Sequence, residues 1–240
     1  MNIALILSGG TGLRVGSSIP KQYIEVAGRP IITYCIKTLH SHELVDAIWV
    51  VAEKEWQGKI LSWLKMYGLE GSVKGFSLPG ANRQMSILNG LEDIAKVADK
   101  MDYVMIHDAA RPCLSAKMIT DCFKGIEGHD GVLPVLPMKD TVYLSEDGKA
   151  VTSLLDRKQI FAGQAPEVFV LGKYLEANRA LLKCDKSDGE SGEAAILAIN
   201  GSTEPAIMAG MDIAMIPGDE KNFKITTKED LEHFRRLVEG

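Results

Sequence analysis

Short apolar runs alternate along the first 136 positions with longer stretches in which apolar side chains recur every three or four residues. These two periods distinguish buried strands from amphipathic helices. The runs at Asn2–Leu7, Ala47–Val51, 73–76, 103–106 and 131–136 predict strands, and the patterns between them predict helices at 31–39, 55–66, 83–95 and Ala116–Gly125. Strands and helices in this order build an α/β fold, in which right-handed crossovers hold largely parallel strands between helical layers. In such sheets ligands bind beyond the carboxyl ends of the strands. The loops that follow Leu7 and Ile106 are therefore expected to face one cleft.

From 138 to 164 the pattern changes. Polar and apolar residues alternate around Ser145, Glu146, Asp147 and Gly148, which predicts a hairpin. It is read as a projecting β-arm. A two-stranded ribbon is marginal alone, so the arm is expected to pack on a second subunit in preference to its own domain. Further on, the pattern predicts a helix at 171–181, short strands at 213–216 and 223–225, and a last helix at 228–238. That helix has Thr226 or Thr227 as its N-cap and Glu229 and Asp230 in its first turn. The polar segment 183–193 predicts a mobile loop.

Composition narrows the function classes. At 240 residues, with no linker rich in Pro, Ser or Gly, the chain reads as one domain over 1–240 that carries the 138–164 arm. Hydrophobic residues make up 46% and charged residues 25%, and no apolar run is long enough for a bilayer, so no membrane contact is expected. A formal charge of −5 argues against a broad nucleic-acid surface but leaves room for a local basic pocket. Cys35, Cys113, Cys122 and Cys184 are scattered without zinc-type spacing and read as free thiols. Together with the lack of a signal-peptide pattern, they point to a reducing cytoplasm.

The richest chemistry lies between Leu7 and Tyr23, where Gly9, Gly10 and Gly12 follow the first strand and Arg14 and Lys21 come next. Glycines there let backbone N–H groups crowd around an anion, and the two cations add full charge. The sequence has neither G-x-G-x-x-G nor Gly-Lys-Ser/Thr, so the loop is neither a dinucleotide fingerprint nor a P-loop; with the strand before it and PKQY behind, a polyphosphate cradle of another kind is favoured over an ordinary strand-to-helix turn with solvated Arg and Lys. Asp108 ends the 103–106 strand region, where a carboxylate could hold Mg²⁺ on nucleotide phosphates or simply cap a turn. Arg111 follows at pairing distance, and His107 is expected to pack. Gly80, Arg83 and Ser86 sit at a helix start able to bond a base edge or a phosphate. Thr141, Arg157 and Lys224, read alone, are solvated surface groups.

Taken in order, GGTGLRVG, PKQY, GANRQMS, HDAARP, KDT, DR, Gln-Ala-Pro-Glu in place of Thr-Pro-Gln, and NFKIT resemble the cytidylyltransferases that make CDP-alcohols, acting on 2-C-methyl-D-erythritol 4-phosphate or D-ribitol 5-phosphate. The resemblance runs from Leu7 to Asp230. It implies a Rossmann-like, largely parallel sheet of the nucleotide-diphospho-sugar transferase type. It also implies CTP as co-substrate, Mg²⁺, a polyol phosphate acceptor and a homodimer through the arm. By that resemblance Arg14 and Lys21 grip the triphosphate, with Ser8, Gly9, Gly10, Thr11 and Gly12 as the cradle. Gly80, Arg83 and Ser86 take the cytosine and ribose region, and Asp108 takes the metal with Arg111 in support. Thr141, Arg157 and Lys224 clamp the acceptor phosphate, the first two reaching the neighbouring subunit's site.

Departures from the family pattern bear on selectivity. Pro79-Gly80-Ala81 stands where a Gly-Gly-Asp or Gly-Gly-Glu is common, Thr-Asp-Glu-Ala is altered to SDGESGEAA, and an insertion follows at 200–211. The Gly-Gly-Thr-Gly opening and Gly163-Gln164 favour D-ribitol 5-phosphate, while Ala109-Ala110 favours the methylerythritol compound. The other readings are a sugar-1-phosphate nucleotidyltransferase using another NTP, or a nucleotide-binding module without turnover.

Overall fold

A computed structural model of the chain describes residues 1–10, 19–183 and 198–240. Its central sheet contains β1 (Asn2–Leu7), β4 (Ala47–Val51), β5 (Val73–Ser77), β6 (Tyr103–Asp108), β7 (Gly131–Pro137), β10 (Phe161–Gly163), β11 (Glu167–Val170) and β12 (Ile213–Pro217). β6, β1, β4 and β5 lie side by side and parallel, and β7 and β12 form a second parallel pair. β11 runs antiparallel between β6 and β7, and β10 continues along β7 in the same sense. The sheet is thus parallel apart from the β10–β11 strand, as the alternation of elements predicts. Two small ribbons complete the strands: β2 (Glu25–Val26) with β3 (Arg29–Pro30), and β8 (Val142–Leu144) with β9 (Ser153–Leu155).

The strands that alternation located best are those buried on both faces. Ile3, Ala4, Leu5 and Ile6 of β1 are all buried, because helices cover each side of the sheet, and such a strand reads as an unbroken apolar run. On one face α1 (Ile31–His40), α2 (Lys54–Met66) and α4 (Ala116–Gly125) close over Ala4, Ile6, Val50, Met105 and Val132. On the other, α3 (Arg83–Ile94) and α5 (Leu171–Lys183) close over Leu5, Val104, Ile106 and Phe169. α6 (Glu204–Met208) lies against α5. Each fully buried Ile or Leu contributes about 1.5–3 kcal/mol relative to an exposed one, so these two layers dominate the stability. A smaller cluster of Val26, Ile31, Ile225, Leu231 and Phe234 seats α7 (Lys228–Glu239).

Two expectations from the sequence need correction, and one strand was missed. Residues 223–225 pair with no strand; one backbone bond, Ile225 N–H to the Ala110 carbonyl at 2.9 Å, and the burial of Ile225 fix that segment in place. The expected arm is shorter than 138–164, since Phe161–Gly163 returns to the main sheet beside β7. β11 was not anticipated, because a four-residue run that begins with Glu167 carries little period. The polar residues 184–193 lie outside the described part of the chain. Among the described residues no helix is long and apolar enough to cross a membrane.

Candidate functional site

A cleft of about 670 Å³ opens at the carboxyl ends of β1, β4, β5 and β6. Leu7, Gly9, Gly10, Lys21 and Gln22 form one wall, Glu53 and Gly80 to Ser86 the opposite rim, and Asp108, Ala110 and Lys224 the floor. Parallel strands all finish on this edge, so the loops that follow them converge there without any special device.

The glycine loop is braced from behind by the short helical turn Lys21–Tyr23. Tyr23 stacks on Trp56 with ring centres 4.1 Å apart, which anchors the turn to α2. The Gln22 side-chain amide donates to the carbonyls of Ser8 at 2.7 Å and Gly10 at 2.8 Å. The Ser8 hydroxyl donates to the Tyr23 hydroxyl at 2.8 Å, which puts Ser8 behind the wall and leaves Gly9 and Gly10 on the cleft. Lys21 is carried on this turn and is only 8% exposed. Arg14, Thr11 and Gly12 lie outside the described residues.

Asp108, the last residue of β6, is 5% exposed and surrounded by cations. Arg83 Nη2 and Nε lie 3.2 and 3.3 Å from Oδ1, Lys224 Nζ lies 2.9 Å from Oδ2, and Arg111 Nε lies 3.5 Å from Oδ2. Burial alone would raise the pKa of this carboxyl, but the charges of Arg83, Lys224 and Arg111 overrule it and hold the group well below the usual carboxylate range. Asp108 is therefore ionised at any physiological pH. Next to it His107 is fully buried and pushed down to about 4 by that burial, so it stays neutral. Among the described lining residues the cations Lys21, Arg83 and Lys224 face the carboxylates Glu53 and Asp108, a balance that favours a polyanionic ligand.

Each cation owes its place to local structure. Arg83 opens α3, whose N-cap Asn82 accepts from the Met85 N–H at 2.8 Å. Its side chain turns towards Asp108 rather than along the Gly80 rim. In that rim the Gly80 N–H donates to the Ser86 hydroxyl at 3.0 Å, and the hydroxyl donates to the Asn82 carbonyl at 2.8 Å. A methyl group at Gly80 would overlap Met85, so the tight turn requires glycine. Lys224 is set by the buried Asn222, whose side-chain amide donates to the Ala165 carbonyl at 2.7 Å. Arg111 joins the two parts by donating to the Asn222 carbonyl at 2.7 Å.

Thr141 and Arg157 are not brought to this cleft. Both lie exposed on the arm, where Arg157 Nη1 donates to the Lys139 carbonyl at 2.7 Å. Of the residues that motif reading expects together, the structure joins Gly9, Gly10, Lys21, Gly80, Arg83, Ser86, Asp108 and Lys224 around one space, with Arg111 directly behind. Reading the sequence missed Gln22 and Glu53 as cleft residues, and gave Asn82, inside the Gly80–Arg83 turn, no role of its own. Asn82, directly before an apolar-periodic stretch, carried a recognisable cap signal; Glu53, on an ordinary strand-to-helix loop, carried none.

A family model described as 2-C-methyl-D-erythritol 4-phosphate cytidylyltransferase matches residues 2–239. A ribitol-5-phosphate cytidylyltransferase of Streptococcus agalactiae serotype III (strain NEM316) is 30% identical over 241 residues, covering 100% of this chain and 96% of that protein. A 2-C-methyl-D-erythritol 4-phosphate cytidylyltransferase of Lachnospira eligens is 31% identical over 235 residues, covering 97% and 96%. The crystal structure of 4-diphosphocytidyl-2C-methyl-D-erythritol synthase from Anaerococcus prevotii superposes with a TM-score of 0.80 at 22% identity, covering 100% of this chain and 96% of that one, which shows the fold.

Proposed function

The chain belongs to the 2-C-methyl-D-erythritol 4-phosphate cytidylyltransferase family, and from that premise we propose how its cleft works and which acceptor it takes. It catalyses CTP-dependent cytidylyl transfer to a polyol phosphate. A phosphate oxygen of the acceptor attacks the α-phosphorus of CTP, the bond from that phosphorus to the bridging oxygen breaks, and pyrophosphate leaves with the electron pair. The second pKa of a phosphate monoester is about 6, so the attacking oxygen is already largely ionised and needs no general base. What the protein must supply is positive charge that lets two polyanions meet.

In this reading Lys21 and Arg14 hold the triphosphate over Gly9 and Gly10, and the Gly80 to Ser86 rim takes the cytosine and ribose. Lys224 holds the acceptor phosphate, with Thr141 and Arg157 delivered by the arm of a second subunit. Among the described residues the cleft supplies two carboxylates able to meet a divalent ion, Asp108 and Glu53, and no three acidic, His or Cys side chains gather into a cage. That fits Mg²⁺, which is commonly held by one or two carboxylates and completed by substrate phosphates. Bound through Asp108, Mg²⁺ would neutralise phosphate charge as it grows on the leaving group.

The observation that carries this reading is the convergence of Lys21, Arg83 and Lys224 on one cleft with the ionised Asp108. For the acceptor we choose D-ribitol 5-phosphate, supported by the Gly-Gly-Thr-Gly opening and Gly163-Gln164. The test is pyrophosphate release with CTP and Mg²⁺ across a panel of phosphorylated polyols. Fastest turnover with ribitol 5-phosphate is expected; faster turnover with 2-C-methyl-D-erythritol 4-phosphate would reverse the acceptor assignment. Preference for UTP over CTP would overturn the base assignment.

A further inference from the structure

Behind Asp108 lies a second carboxyl group that the reaction described above does not use. Glu167 opens β11 opposite Ile106 of β6 and is 7% exposed. Alternate residues of a strand share a face, so Glu167, Ile106 and Asp108 all lie on the side of the sheet covered by α3, where Arg83 is the first residue. Glu167 Oε1 accepts from the Ser202 hydroxyl, and the Ser202 carbonyl is itself fixed by the Tyr174 hydroxyl at 2.6 Å. Oε2 is buried with no hydrogen-bond partner. A buried carboxylate oxygen left unpaired is costly, and such a group calls for a reason. Burial raises the pKa of Glu167 and the charge of Arg83 opposes that rise. Arg83 in turn is held charged against its own burial by both Asp108 and Glu167.

Asp108 is oversubscribed. Arg83 reaches it with two nitrogens on a single oxygen at 3.2 and 3.3 Å, not as a parallel fork onto both, while Lys224 and Arg111 share the other oxygen. A guanidinium that relinquishes Oδ1 needs another acceptor on the same face. We propose that Glu167 is a positioning residue that receives Arg83 when Asp108 turns to the substrate side of the cleft, so that Arg83 exchanges one carboxylate for another without leaving its wall. This rests on the reading of Asp108 given above.

The test compares Glu167→Gln, Arg83→Ala, the double variant and Asp108→Asn, alongside a crystal structure of the wild-type protein with CTP and Mg²⁺. The amide keeps the shape of the carboxyl and can accept through its oxygen, but it carries no charge. Glu167→Gln is expected to keep or raise Tm while lowering kcat about tenfold, the size of one hydrogen bond to a charged group. That loss should vanish in the Arg83→Ala background, and in the nucleotide complex an Arg83 nitrogen should lie within hydrogen-bond distance of Glu167 Oε2. Unchanged kcat, a loss that tracks falling Tm, or undiminished additivity with Arg83→Ala would overturn the inference. Asp108→Asn separates the two readings: near-normal turnover there would remove the premise, whereas an inactive Asp108→Asn beside an unaffected Glu167→Gln would remove only the role of Glu167.

Discussion

Lys21 shows how much a single side chain in this cleft can be asked to do. It is almost buried and carried on a turn that Tyr23 and Gln22 lock to the glycine loop, so its amine approaches a bound polyphosphate with little freedom to lose. A preorganised charge of this kind is typically worth about 3 kcal/mol or more in the barrier, so Lys21→Ala should lower kcat at least about a hundredfold. Circular dichroism and Tm should remain close to wild type, and near-normal turnover would take Lys21 out of catalysis. Lys21 was legible because it sits in a motif whose residue types suit phosphate chemistry, Asp108 and Arg83 less sharply because each also fits a capping or helix-start reading, and Lys224 only through the family resemblance. Glu167 and Gln22 were not, since their importance arises from which strand or loop they lie against, and pairings of that kind leave no trace in local spacing.

Secondary-structure elements were legible where burial coincided with a run long enough to carry a period; β11, buried at all four of its positions, is too short to show one. Asn2–Leu7, Ala47–Val51 and Ala116–Gly125 have the bounds the pattern predicts, because an element enclosed on its inner face must be apolar at each inward position. Residues 223–225 show the converse: apolar spacing alone does not make a strand when no neighbour offers a ladder. The last helix, α7, is fixed by its start. The Thr227 hydroxyl accepts from the Asp230 N–H at 3.2 Å while the Asp230 carboxylate accepts from the N–H groups of Thr226 and Thr227, both at 2.8 Å, a reciprocal capping box. Thr227→Ala should cost about 1 kcal/mol and lower Tm by about 2–4 °C. Burial alone would raise the Asp230 pKa, but the hydrogen bonds from Thr226 and Thr227 bring it down to about 2. A depressed folded-state pKa means that this stabilisation is fully present above the unfolded value of about 4 and disappears as pH falls towards 2. Asp230→Asn should therefore flatten the acid limb of the Tm profile across that window; an unchanged acid limb would remove Asp230 from the cap's energetics.

For the molecule as a whole the arm is the outstanding feature. Tyr143 is 58% and Leu154 65% exposed on a ribbon whose two strands pair only with each other, Val151 in the connection between them is 67% exposed, and Phe161, where the chain rejoins the main sheet, is 41% exposed. Apolar side chains gathered on a marginal ribbon call for a covering surface, and in the homodimer proposed here that surface is a second copy of the chain. The same arm carries Thr141 and Arg157, which the cleft of their own subunit does not include. Dimerisation would then complete each acceptor site from both chains. The consequence is a complementation test. Lys21→Ala disables the site in its own subunit, whereas Arg157→Ala would disable the site of its neighbour. In a mixed dimer both faults fall on one site and leave the other whole, so two inactive variants combined and exchanged at equal amounts should recover about a quarter of wild-type activity. If both residues served the same subunit's cleft, every site in a mixed dimer would carry one fault and no activity would return.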